Sequence, residues 1–114
     1  MKIEFFYFAD CPSHEDGLKR LKKVCAEEGV DDRIEVIEVA SEEEAVKLNF
    51  IGSPTIRING RDIDSLGLEG QRPALTCRVY LHPDGRFSPL PAEETIRDAL
   101  SREKKGSHSK TITD

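Results

Sequence analysis

The segment Lys2 to Phe8, KIEFFYF, carries large apolar residues on both of its alternating sets, Ile3, Phe5 and Tyr7 on one and Phe6 and Phe8 on the other. A strand with one wet face alternates apolar with polar residues, so this strand must be covered on both sides. After the break Asp10-Cys11-Pro12-Ser13, a helix is predicted from near His14 to about Glu28. Leu18, Leu21, Val24 and Cys25 fall at helical spacing, and Gly29 is placed to end it. Arg33 to Val39, RIEVIEV, is a second strand, and strand, helix and strand in this succession imply a right-handed crossover with the strands parallel.

Ser41 and Glu44 form a capping box for a short helix with Ala45, Val46 and Leu48, which is expected to give way at Gly52. Ser53-Pro54 leads into Thr55-Ile56-Arg57-Ile58, then Asn59-Gly60, then Arg61-Asp62-Ile63. Asn-Gly between strands is a strong hairpin signal, because both residues tolerate the positive φ of a type I′ turn. Residues 64 to 76 are rich in Gly, Ser and Pro and read as a loop; Cys77 to Leu81 reads as a further short strand, with a turn at Pro83-Asp84-Gly85. Pro91 stands where a last helix would start, with Ile96, Ala99 and Leu100 on its apolar side. From about Glu103 the chain is polar without periodicity and is expected to be disordered. The 114 residues therefore read as one domain over 1–102 and a tail over 103–114.

A net charge of −5 works against a partner held by phosphate contacts, so nucleic acid is not expected. The one dense basic run, Lys19-Arg20 with Lys22-Lys23, reads as the solvated face of the first helix. Glu4 and Asp10 interrupt the apolar opening, which also lacks a small-residue cleavage site, so no signal peptide is expected. No stretch approaches a membrane span. A cytoplasmic setting follows as the expectation, where thiols stay reduced, and the three cysteines, an odd number, agree with it.

The order β-α-β-α-β-β-α, with Cys11 between the first strand and first helix and Pro54 immediately before the third strand, resembles the thioredoxin superfamily. The resemblance covers residues 2 to 102, apart from an insertion between Asp64 and about Pro91. It implies a four-stranded mixed sheet with helices on both faces, and a cis Ser53-Pro54 bond lying against the reactive cysteine. Gly52-Ser53-Pro54-Thr55, followed by Asn59-Gly60, is similar to the corresponding segment of glutaredoxin-like members. One departure matters: Cys11-Pro12-Ser13-His14 has histidine where the second cysteine of a C-x-x-C pair belongs. A dithiol cycle confined to this motif is therefore impossible, and family membership alone does not establish redox activity.

A thiol at a helix N-terminus feels the partial positive charge of unpaired backbone N–H groups, which favours thiolate. His14, in the first helical turn, is placed to hydrogen-bond the sulfur or to pair with it as a cation. Asp10, Glu15 and Asp16 would oppose a negative sulfur. Cys25 falls in the apolar register of its helix and reads as core. Cys77 follows a flexible loop and reads either as a strand residue or as a resolving thiol brought over Cys11. On access and thiolate character, Cys11 is expected to react first, Cys77 next and Cys25 last. Arg57, Arg61 and Arg78 could line a site for an anionic thiol such as glutathione, or stand as ordinary exposed strand residues.

Three functions follow. The first is a thiol-dependent oxidoreductase with Cys11 as nucleophile and Pro54 beside it, resolved by Cys77 or an external thiol, acting on a protein disulfide or a small thiol without a cofactor. The second is a non-enzymatic binder of soft metal or organometal through Cys11 and Cys77; small domains of this kind are also similar to part of the alkylmercury lyases. The third is a redox-inactive interaction domain.

Overall fold

The computed structural model describes residues 1–64 and 72–113, with side chains as far as Lys104. Its order is β1 (Ile3–Tyr7), α1 (His14–Glu27), β2 (Ile34–Glu38), α2 (Glu42–Leu48), β3 (Thr55–Ile58), β4 (Arg61–Asp62), β5 (Tyr80–Leu81), β6 (Phe87–Ser88) and α3 (Glu93–Thr113). The main sheet is four-stranded and mixed, in the order β2-β1-β3-β4. β1 pairs parallel with β2, Phe5 opposite Val36, and antiparallel with β3, Phe5 opposite Ile56. The hairpin from β3 to β4 turns at Asn59 and Gly60, with φ of 54° and 80°, as the type I′ reading requires.

The two apolar sets of β1 do go to two cores. Ile3 and Phe5 pack with Leu21, Val24 and Cys25 of α1, Ile56 and Ile58 of β3, and Ile96, Ala99 and Leu100 of α3. Phe6 packs on the other face with Val39, Ala45 and Phe50, and Phe8 and Leu48 adjoin them. Cys25 is a core residue, as its register predicts. Among the described residues, no helix is long and apolar enough to cross a membrane.

Three expectations about element ends change. The α2 helix stops before Gly52: Asn49 turns left-handed at φ 54°, and its N–H closes on the last carbonyls of the helix. Cys77 to Leu81 is not one strand. Only Tyr80–Leu81 pairs with Phe87–Ser88, through a turn at Gly85, while Cys77 makes a single parallel bridge to Ser53. The backbone around Cys77 is drawn to the main sheet because Ser53 both donates to Thr76 O and accepts from Arg78 N–H. The last helix also runs past Glu103, where a disordered tail was expected. Ser101 to Lys105 contains neither Gly nor Pro and is largely good helix formers, and the turn is docked by polar contacts rather than an apolar face. Asn59 donates to Glu103, and Lys104 donates to Glu28 O at 2.6 Å, where α1 ends. The predicted loop at 64–76 falls partly, over 65–71, outside the described residues.

Candidate functional site: a pair of thiols against Ser53-Pro54

Cys11 sits in a tight turn after β1, its N–H donating to Phe8 O at 2.9 Å, just before α1 begins. Pro12 and Ser13 carry the chain into α1, where the Gly17 N–H reaches back to Ser13 O. The side chain turns inward, leaving Cys11 only 1% exposed. There its Sγ donates to Ser53 O at 3.5 Å. Ser53 is fully buried and is held in turn by its Oγ, which accepts the Phe8 N–H at 3.0 Å.

The Ser53–Pro54 peptide bond is cis, so the bond expected to lie against the cysteine does so. Pro54 is buried, and its carbonyl accepts the Tyr80 hydroxyl at 2.6 Å. Gly17 of α1 leaves room for the proline ring, since a Cβ there would stand 3.0 Å from Pro54 Cγ.

Cys77 is brought to the same place by its bridge to Ser53. Its Sγ donates to Cys11 Sγ across 3.1 Å, although the two residues are 66 apart in sequence. All three cysteines are free thiols, and Cys77 is exposed where Cys11 and Cys25 are buried. That reverses the expected order of access between Cys11 and Cys77, because the helix-start cysteine lies beneath the loop cysteine. The hydrogen bond to Cys11 pushes the Cys77 thiol up, with desolvation and the nearby Cys11 charge adding to it.

Arg78 explains why Cys77 stays there. Its guanidinium is buried and forms two bonds to Asp62, at 2.6 and 2.7 Å, with a third to Asp64 O at 3.1 Å. It also lies 4.4 Å over the Tyr80 ring. Burial works against its charge, but the bonds to Asp62 and the surrounding carboxylates leave its pKa raised. The sequence offered one signal for this, a charged residue directly beside a cysteine, but no signal for its partner.

The remaining candidates are placed elsewhere. The His14 ring stacks on Tyr7, with centroids 4.7 Å apart and 22° between planes, and is not a hydrogen-bond partner of the Cys11 sulfur. Arg57 donates to Leu48 O and Asn49 O at the end of α2, and Arg78 faces Asp62, so two of the three arginines considered for an anionic thiol are engaged internally. A groove of about 620 Å³ between the β5–β6 hairpin and the start of α3 is lined by Arg20, His82, Arg86 and Phe87 among others, and by neither sulfur.

No family model, no curated protein and no solved structure matches this chain. Two thiols in contact, one buried and one exposed, can close to a disulfide by a sulfur displacement of about 1 Å, given an S–S bond near 2.05 Å. Among the described residues, no group of three or more His, Cys, Asp or Glu side chains is arranged to hold a metal ion.

Proposed function

We propose that the chain is a thiol–disulfide oxidoreductase of thioredoxin-like architecture, in which Cys11 and Cys77 alternate between a dithiol and a disulfide. The 3.1 Å separation of the two sulfurs carries the reading. The missing second cysteine of the Cys11-Pro12-Ser13-His14 motif is thereby supplied from the insertion. The element order, the strand order β2-β1-β3-β4 and the cis bond beside the sulfur support the architectural part. The substrate would be a protein disulfide or a small thiol, and no cofactor is required, because the two sulfurs themselves hold the electron pair exchanged. A soft-metal site on the same sulfurs would need ligands beyond two, or a metal content with two-coordinate preference. The redox reading needs only the sulfurs present.

Mild oxidation of the full chain followed by peptide mapping without reductant tests it. The expected product is an intramolecular Cys11–Cys77 disulfide, formed reversibly against a glutathione buffer, with Cys25 still alkylatable after unfolding. A protein that keeps all three thiols free under that treatment, with its fold intact, is not a dithiol enzyme.

A further inference from the structure

The two sulfurs differ in a way that assigns them different work. Cys11 is 1% exposed, enclosed by the turn from Phe8, by Ser53 O at 3.5 Å and by Cys77 above it. Cys77 is exposed on the solvent side of the same contact. Thiol–disulfide exchange needs a thiolate to approach the attacked sulfur along the extension of the S–S bond, with the far sulfur leaving. Cys11, almost fully buried, offers an outside thiolate no approach, whereas the exposed Cys77 does.

We infer that Cys77 is the sulfur that exchanges with an external thiol or disulfide, and that Cys11 is the interior partner that leaves and returns. This rests on reading the two thiols as a redox pair. In the reducing direction of the cycle, an external thiolate RS⁻ attacks Cys77 Sγ of the Cys11–Cys77 disulfide. The new bond is Cys77 S–S R, the Cys11–Cys77 bond breaks, and its electron pair goes to Cys11 Sγ, which takes up a proton and donates it to Ser53 O. A second RS⁻ attacks the R sulfur, releases RSSR and leaves Cys77 as thiolate, which takes up a proton and donates it toward Cys11. The pair has gained two electrons and the external thiols have lost two.

In the opposite direction Cys77 loses its proton to solvent and, as thiolate, attacks a substrate disulfide from its exposed position beside Cys11. One substrate sulfur leaves as thiolate. That thiolate takes up a proton from solvent; Cys11 then gives up its own proton to solvent, attacks Cys77 Sγ and expels the second substrate sulfur, which is protonated in turn. The mixed disulfide stays within reach because Cys77 is tethered on both sides, by Thr76 O and Arg78 N–H to Ser53 and by the Arg78 guanidinium to Asp62. Arg78 and Asp62 are thus positioning residues for the sulfur that meets substrate.

The oxidised full chain is treated with less than one equivalent of glutathione, quenched with N-ethylmaleimide and mapped. Glutathione is expected on Cys77 and maleimide on Cys11, with a preference of about tenfold or more set by access. Because sulfur can migrate between the two, Cys11→Ser and Cys77→Ser are also each exposed to oxidised glutathione. Cys11→Ser should form its adduct on Cys77 about tenfold or more faster than Cys77→Ser forms one on Cys11. Glutathione on Cys11 with Cys77 alkylated, or equal rates in the two variants, overturns the assignment while the redox pair stands. Absence of any Cys11–Cys77 disulfide before glutathione is added removes the redox pair and the assignment together.

Discussion

Gly52 has φ +150°, and a Cβ there would lie 2.8 Å from both the Arg78 N and Cα, so this position has to be glycine for the Cys77 segment to lie against Ser53. In Gly52→Ala the 76–78 backbone must lift, which separates the sulfurs; disulfide closure should slow by about tenfold or more, read by the rate of thiol loss under fixed oxidant. Asp62 and Arg78 form a buried ion pair, and removing one partner strands the other without its counterion. Asp62→Asn should lower unfolding free energy by roughly 3 kcal/mol in urea, and Arg78→Met added to it should recover part of that loss. No sequence pattern announced either effect. Gly52 read as a helix terminator and Arg78 as lining for an anionic thiol or an exposed strand residue, because a close backbone approach and a counterion 16 residues away are properties of the folded chain.

Elements were the most legible scale, and their errors are instructive. Ser41 caps α2 as predicted, its Oγ accepting the Glu44 N–H at 3.1 Å while Glu44 reaches back to Ala40 N–H. Ser41→Ala should therefore reduce stability by about 1 kcal/mol, measured by urea unfolding. The continuation of α3 through Glu103 and Lys104 is not marked in the sequence, because that turn has no apolar face. It is docked by Asn59 on Glu103 and by Lys104 on the end of α1. Ending the chain at Arg102 removes both contacts and should lower Tm by about 4 °C, the equivalent of roughly 1 kcal/mol in a domain of this size. An unchanged Tm would return residues from 103 onward to the role of a dispensable tail.

At the scale of the whole molecule, the buried thiol and phenol predict how stability varies with pH. Burial, with the Asp32 charge adding to it, pushes Cys25 up from its ordinary 9.0, and burial pushes Tyr80 well above its ordinary 10.0. A group whose pKa is higher folded than unfolded contributes stability that is complete below its unfolded value and lost as pH rises through its folded one. Unfolding free energy should thus begin to fall above about pH 9, and Cys25→Ala should delay the fall, measured by urea unfolding across pH 8 to 10.5. The sequence alone determined the order of the three helices and the four main-sheet strands, the two-sided β1, the Asn59-Gly60 turn and the candidacy of Cys11, because periodicity, caps and turn residues act between neighbours along the chain. Only the tertiary structure decided that Cys77 completes the pair, that it lies outside Cys11, and that His14 turns to Tyr7. Those depend on where a loop lands after a connection of many residues. Such a landing is fixed by contacts made at a distance, the Ser53 bridge and the Asp62–Arg78 bonds, which leave no periodic mark in the sequence.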